Sequence, residues 1–238
     1  MAKKSLHILL KKLCEIRGIR WIRILYCYPE EIYDELIETI RDEKKICHYL
    51  DIPIQHASDR ILKRMGRRTS KQELIDIVEK LRREIPDIIL RTTLITGFPG
   101  ETEEDHEELK EFVDEMEFDR LGVFTYSPEE NTPAAEMADQ VPEEVKEERR
   151  DELMELQQEI SYDRGQDRIG QELLVMIEGK VADESAYIGR TYGDAPKVDG
   201  YIFVQTGELL MTGDFAKVRV TGALEYDLIG VLSDEYTE

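Results

Sequence analysis

Hydrophobic and polar positions in the first two thirds of the chain follow two alternating periods. Apolar residues recur every three or four positions over residues 5–16, which predicts a helix. Runs rich in β-branched and aromatic residues predict strands at 19–26, 49–54, 88–95 and 121–126. Helical patterns separate these runs, so the sequence predicts successive βαβ units and a parallel sheet.

Helix-start signals lie between the predicted strands. Pro29 and the two glutamates after it predict a helix start, because proline suits the first turn and acidic side chains favour the positive end of the helix dipole. Ser58 is placed to cap a brief helix, and Thr102 an acidic one. Ser70 and Glu73 have the spacing of a capping box.

The pattern changes in the last third of the chain. Residues 141–168 predict one long charged helix, and five short strand-like runs separated by glycine turns follow it. The sequence therefore predicts an α/β fold with a partial parallel (β/α) barrel at 1–140, a connecting helix at 141–168, and a small five-stranded β-barrel at 169–238.

Composition indicates a folded, acidic protein. The chain has 238 residues, is 41% hydrophobic, and carries a formal net charge of −21. Such a surface repels phosphates and attracts basic proteins. No run approaches the roughly 18 apolar residues of a membrane span, and the first residues do not form a signal-peptide pattern. We expect a cytoplasmic protein without a membrane partner.

Cysteine spacing bears on metal chemistry. Cys14, Cys27 and Cys47 are too far apart in sequence to form a CxxC or CxxxCxxC element. Free cysteine is among the most buried residue types, so we interpret these three as buried thiols in a reducing compartment and predict no metal site in this chain.

Three segments carry a resemblance to a known family. Residues 51–58 (DIPIQHAS) and 91–102 (RTTLITGFPGET) follow successive predicted strands and resemble the S-adenosylmethionine (SAM)-binding half of the radical SAM methylthiotransferases. Residues 189–200 (GRTYGDAPKVDG) resemble the start of the TRAM domain of the RimO type, whereas the tRNA-modifying relatives lack the AP-VDG part. The resemblance extends from the first helix to Val231.

The resemblance implies a ligand site at the carboxyl ends of the strands, where the loops of a parallel barrel converge. Arginine forks suit the SAM carboxylate, short polar side chains suit the ribose, and close backbone with a flat apolar wall suits adenine. The candidate SAM-binding residues are Gln55, Ser58, Arg67, Arg91, Thr93, Gly97, Phe98 and Glu101. Alternatives stay open, since Ser58 can serve only as a helix cap, the glycines only as turn residues, and His56 as a core histidine.

By resemblance, an intact relative uses SAM and two 4Fe-4S clusters to methylthiolate the β-carbon of an aspartate in small-subunit ribosomal protein number twelve. The family's three N-terminal cluster cysteines and its CxxxCxxC loop do not occur in this sequence. We therefore expect the chain to begin after the first one or two barrel strands, to ligate no cluster and to be inactive alone.

Charge on the predicted C-terminal barrel bears on the partner. Residues 169–238 hold 13 acidic and five basic residues, a balance of −8. A basic ribosomal protein fits this charge better than tRNA does. The candidate partner-binding residues are Asp194, Asp199 and Asp214. Two alternatives stay open: a non-catalytic protein-binding module, and a tRNA methylthiotransferase whose barrel binds tRNA through Arg190, Lys197 and Arg219.

Overall fold

A computed structural model describes residues 4–182 and 184–233 of the chain. The chain forms two compact units, Met1–Gln157 and Gln158–Glu238. The first contains a parallel sheet and the second a closed barrel of five strands, so the predicted α/β class with a small C-terminal β-barrel is confirmed. The division falls inside the long helix α6 (Glu143–Gln166), and the domain boundaries at 140 and 168 stay predictions.

Four parallel strands in the order β1-β2-β3-β4 form the sheet of the first unit. Each strand has its carboxyl end at the same edge, because every neighbouring pair is parallel. The strands are β1 (Ile22–Ile24), β2 (Ile46–Gln55), β3 (Ile89–Thr96) and β4 (Arg120–Thr125).

Helices alternate with these strands, as the periodicity predicts. The capping boxes at the starts of α4 and α5 both form. The helices are α1 (Leu6–Cys14), α2 (Asp34–Asp42), α3 (Asp59–Arg64), α4 (Lys71–Glu84), α5 (Glu103–Met116) and α6. Among the described residues, no helix is both long and apolar enough to cross a membrane.

The predicted helix start at Pro29 is wrong. Pro29–Glu31 forms a single 3-10 turn, and Ile32 then adopts an extended conformation with φ −86° and ψ 120°. This extended residue interrupts the helical hydrogen bonding, so α2 begins at Asp34.

Strand β3 gives the sheet two different faces. Leu90, Thr92 and Leu94 are buried on one face, whereas Arg91, Thr93 and Ile95 alternate with them and are half-buried on the other. This alternation follows from the two-residue period of a strand. The half-buried face therefore carries two of the predicted site residues, Arg91 and Thr93.

The second unit is a closed barrel in the order β5-β6-β7-β9-β8. Only the β7–β9 pair is parallel. The strands are β5 (Glu172–Lys180), β6 (Ala186–Arg190), β7 (Ile202–Gln205), β8 (Phe215–Ala223) and β9 (Leu228–Leu232). The barrel is filled by a core of Val175, Ile177, Tyr187, Ile202, Val204, Ala216, Val218, Val220 and Leu228.

Candidate functional site

Two loops meet at the carboxyl edge of the parallel sheet. Residues 55–58 follow β2 and residues 97–101 follow β3. The loops contact each other where Nε2 of His56 lies 3.5 Å from Oε2 of Glu101, and both side chains are fully buried. The fold thus brings Gln55, Ser58 and the Gly97–Glu101 turn to one edge.

The carboxylate of Glu101 organises its own loop. Its Oε2 accepts hydrogen bonds from the backbone N–H groups of Gly97, at 2.8 Å, and Phe98, at 3.3 Å. Its Oε1 accepts one from Nη1 of Arg149 on α6 at 3.0 Å. Glu101 therefore holds the loop from inside and, being buried, presents no carboxylate to a ligand.

Gly97 is required by the close approach of α6. Its φ of +70° favours glycine, and a Cβ atom at this position would lie 2.1 Å from Cγ of Lys146. Lys146 is itself fixed, because its Nζ donates to the backbone oxygen of Tyr126 at 2.9 Å. The backbone at Gly97 can therefore come close to a ligand only on the side away from α6.

The neutral tautomer of His56 follows from its hydrogen bonds. The backbone N–H of Ser58 donates to Nδ1 of His56 at 2.9 Å, so Nδ1 is an acceptor and the proton of a neutral ring lies on Nε2. Nε2 lies 3.5 Å from Oε2 of Glu101 and has no hydrogen-bond partner among the described residues. The buried ring of His56 thus contacts both loops. It is a core histidine, as one alternative held, and it also lies at the candidate site.

Ser58 does not cap α3 with its side chain. Instead, its hydroxyl donates to Oδ1 of Asp105, at the start of α5, at 2.6 Å. Burial alone would raise the pKa of Asp105, but hydrogen bonds from Ser58, Thr102 and Arg60 outweigh it and lower the pKa to about 2. The interpretation of Ser58 as a simple helix cap is wrong, because the hydroxyl is directed across to a neighbouring helix.

The ring of Phe98 is mostly buried. It packs edge-on against Tyr126, with ring centroids 5.2 Å apart, and contacts Ile61. The half-buried Ile95 packs against the same cluster. Ile95, on the face of β3 that also carries Thr93, offers a ligand more apolar surface than Phe98 does.

The two candidate arginines have internal partners. Arg67 donates to the backbone oxygen of Pro53, and its guanidinium lies 4.9 Å from the ring centroid of Tyr28. Arg91 donates to Asp51 at 2.9 Å and to the hydroxyl of Thr93 at 3.2 Å. Arg91 precedes the end of β3 by five residues, or ~16 Å of strand. The structure therefore places Arg91 away from the Gly97 loop, although it lies only three residues, or ~10 Å of strand, from Leu94, the register partner of Gln55.

The three aspartates predicted to bind a partner all bind their own loops. Asp194 is buried, and it accepts hydrogen bonds from the hydroxyl and the N–H of Thr191. Asp199 and Asp214 are half-buried and accept hydrogen bonds from the N–H groups of Ala195 and Met211. Because Asp194 is buried, we no longer expect it to contact a partner directly, and Asp199 and Asp214 stay candidates.

Sequence reasoning missed the contribution of α6 to the site. Lys146, Arg149, Leu153 and Gln157 are all buried, at the spacing of a helix face. A search for apolar periodicity detects only the leucine in this group. His106 was missed in the same way: it lies on the acidic helix α5, yet it is buried, with Nε2 3.0 Å from Glu152 on α6.

Comparison with known proteins agrees with this architecture. The Radical SAM superfamily matches residues 2–113, and the TRAM domain matches residues 169–232. The coproporphyrinogen III oxidase HemN of Escherichia coli, a radical SAM enzyme, has a related fold: the TM-score is 0.56 with 16% identity, covering 93% of this chain and 52% of that one. The family match over residues 2–113, which include both edge loops, therefore places the first unit among radical SAM proteins.

Curated relatives narrow this class. The ribosomal protein uS12 methylthiotransferase RimO of Lachnoclostridium phytofermentans is 66% identical over 228 residues, which cover 96% of this chain and 52% of that protein. RimO of Clostridium botulinum (strain Langeland) is 52% identical over 236 residues, covering 99% of this chain and 53% of that protein. The chain belongs to the radical SAM methylthiotransferase family, RimO type, and spans about half the length of these relatives.

The family implies SAM and iron–sulfur clusters, which the residues present fit to different degrees. Two features of the edge fit an adenosyl ligand. The buried hydroxyl of Tyr126 has no hydrogen-bond partner within the described part of the chain. Thr93 and Ile95 lie on the half-buried face of β3. The cysteines do not fit a cluster. Burial raises the pKa of the Cys27 thiol to about 11, which disfavours the thiolate, and the described residues contain no group of three or more potential metal ligands.

Proposed function

We propose that this chain supplies the SAM-binding edge and the substrate-docking barrel of a cytoplasmic methylthiotransferase that modifies the β-carbon of an aspartate in ribosomal protein uS12. The observation that carries the proposal is the 66% identity, over 96% of the chain, to a protein named for that activity. The meeting of two loops at the edge of the parallel sheet supports it.

Each proposed SAM contact uses a group at or near that edge. The side chain of Gln55 is half-buried at the end of β2, where the backbone turns with a φ of 74°, and we assign it to the ribose hydroxyls. Thr93 and Ile95 would line the ribose and adenine, and the backbone at Gly97 would contact the adenine. Arg67, which lies nearer the edge than Arg91 does, would bind the carboxylate.

SAM at this edge, together with a cluster that this chain does not ligate, would supply the hydrogen-abstracting chemistry of the whole enzyme. The residues of this chain would bind and orient the nucleotide and keep water from it. Glu101 and Ser58 have a supporting part in this arrangement, since both are buried and hydrogen-bonded within the protein.

Titration of the chain with S-adenosylhomocysteine tests the SAM site without chemistry. Gln55→Ala should weaken binding by roughly 3- to 10-fold, the loss expected for one or two hydrogen bonds. Gln72→Ala is the matched control, because Gln72 lies exposed on α4 and its amide donates to Asp76 on the same helix. Equal affinities for the Gln55 and Gln72 variants would remove Gln55 from the site, and no binding by the unmodified chain would contradict the proposed edge.

The proposed partner is a basic protein, because residues 169–238 carry a net charge of −8. Purified uS12 should bind the chain more tightly than tRNA does, and its affinity should fall as salt rises. Arg190, which the tRNA alternative requires, already pairs with Glu178 at 2.6 Å. Tight tRNA binding with no affinity for uS12 would favour the tRNA methylthiotransferase instead.

We further propose that the chain alone holds no 4Fe-4S cluster. Cys14 ends α1, Cys27 follows β1, and Cys47 lies in β2, whereas a cluster requires thiolates grouped around one site. Anaerobic reconstitution should leave the chain without thiolate-to-iron absorption. Incorporation of about four irons per chain would contradict this.

A further inference from the structure

The carboxylate of Glu101 is enclosed by protein on every side. Its side chain has no exposed surface, and an isolated buried carboxylate is strongly disfavoured unless a positive charge or hydrogen-bond donors compensate it. The backbone donors are those of Gly97 and Phe98. Two side chains also lie close to it: the ring of His56, with Nε2 at 3.5 Å, and the guanidinium of Arg149, at 3.0 Å.

We propose that Arg149 is a positioning residue for the nucleotide: it compensates the charge of Glu101, and Glu101 in turn holds the Gly97–Phe98 backbone in the conformation that contacts SAM. The proposal rests on the proposed function for the identity of the ligand. Arg149 lies on helix α6, outside the two loops that follow β2 and β3, so the proposal adds α6 to the elements that shape the ligand site.

The geometry of Arg149 suits this role. Its Nη1 donates both to Oε1 and to the backbone oxygen of Glu101, at 3.0 and 3.3 Å, and its Nη2 donates to Glu103 at 3.1 Å. One planar guanidinium thus fixes both the end of the loop and the start of α5. Its side chain is 7% exposed, so water cannot easily replace it.

Loss of the guanidinium has a defined consequence. A buried carboxylate without its cation draws in water or takes up a proton, and either change weakens its acceptance of the two backbone hydrogen bonds. The N–H groups of Gly97 and Phe98 would then be released. Amide hydrogen exchange at these two positions reports on that release with or without a ligand.

The test compares Arg149→Met with Arg150→Met in the full chain. Arg150 is the adjacent residue on the same helix, and it forms an ion pair with its exposed neighbour Asp151. NMR-detected exchange at Gly97 and Phe98 should be at least ~10-fold faster in Arg149→Met and unchanged in Arg150→Met. S-adenosylhomocysteine should bind Arg149→Met at least ~10-fold more weakly.

A second variant separates charge compensation from packing. Glu101→Gln with Arg149→Met removes both charges and keeps an amide oxygen that can accept from the two N–H groups. We expect exchange to return to within ~3-fold of the wild type, which a purely packing role for Arg149 does not predict. If Arg149→Met does not fold, Arg149→Lys replaces it: it keeps the charge, loses the planar fork, and should still accelerate exchange measurably.

The outcomes are distinct. Wild-type exchange rates in the folded Arg149 variant, or no recovery in the double variant, would overturn the positioning role. Failure of the unmodified chain to bind S-adenosylhomocysteine, with accelerated exchange in Arg149→Met, would instead contradict the proposed SAM site and leave the support of the loop by Arg149 intact.

Discussion

The edge loops of the first unit are stabilised by different interactions from those that stabilise the barrel of the second unit. Buried charged and polar side chains meet behind the loops, among them Glu101, Arg149, His56 and Asp105. The barrel interior is a cluster of nine buried residues that are all hydrophobic. The barrel should therefore tolerate changes of pH and salt, whereas the loops should depend on the protonation state of a few side chains.

The atoms that surround buried glycines also differ between the two regions. At Gly230 in the barrel, an added Cβ would lie 2.5 Å from a methyl carbon of Val218 and 2.7 Å from the backbone oxygen of Arg219. At Gly97 in the loop, the nearest atoms belong to the side chain of Lys146. At Gly230 a side chain and the backbone of the neighbouring strand both exclude a Cβ atom, whereas at Gly97 the excluding atoms belong to one lysine side chain of α6.

The largest effect is expected in the barrel core. Ile177 has no exposed surface, and its replacement by Ala should lower the free energy of unfolding by about 2–5 kcal/mol, the range for a large-to-small core substitution. Urea titration followed through the amide protection of β5, β6 and β8 measures this. The loss should be the same at acid and neutral pH; a loss that changes with pH would mean that the barrel also depends on ionised groups.

The next largest effect is expected at low pH, where the first unit should lose the stability that Asp105 contributes. The folded-state pKa of Asp105 is about 2, below its unfolded value of about 3.9, so its contribution to stability is complete above about pH 4 and is lost as pH falls towards 2. The shift corresponds to roughly 2 kcal/mol. Fluorescence of Trp21, the single tryptophan in the chain, reports unfolding of the first unit.

Comparison of variants isolates this contribution. The stability difference between wild type and Asp105→Asn should shrink over that acid window, whereas Asp76→Asn, on the exposed side of α4, should show no such change. A constant difference between wild type and Asp105→Asn down to pH 2 would mean that the carboxylate of Asp105 is not held in its ionised form.

Local patterns predicted most of the fold. The strand predicted at 88–95 is β3, Ile89–Thr96, and the capping box at Ser70 forms as its spacing indicates. These features depend on residues a few positions apart. The exception, Pro29, has a correct local signal that the extended conformation of Ile32 overrides.

The interior of the candidate site was not predictable in the same way. Arg149 reaches Glu101 across 48 positions, and Ser58 reaches Asp105 across 47. No periodicity marks such polar pairs, because a charged residue on a helix is most often exposed. The motif residues could be found from strand ends and turn glycines, but their supporting partners became identifiable only from the packing of α5 and α6.

A smaller effect is expected at Ser58. Replacement by Ala removes a hydrogen bond to an ionised carboxylate and should cost about 1.5 kcal/mol at neutral pH. It should also raise the pKa of Asp105. The control is Ser5→Ala, because Ser5 also precedes a helix without a side-chain capping bond. Similar losses in both variants, measured by Trp21 fluorescence, would mean that the buried bond of Ser58 adds no stability.

The smallest effect is expected on the wall of the barrel, where a charged pair does lie. Arg190 donates to Glu178 at 2.6 Å, and the two side chains are 14% and 28% exposed. Partly exposed pairs contribute about 0–1 kcal/mol, so Arg190→Met should lower the unfolding free energy by less than about 1 kcal/mol. Part of that loss should disappear between about 0.05 and about 0.5 M salt, because ions screen an accessible pair. Arg219→Met, at an exposed position of β8, is the control. A loss of several kcal/mol that salt does not reduce would show that the barrel, like the edge loops, depends on a charged network.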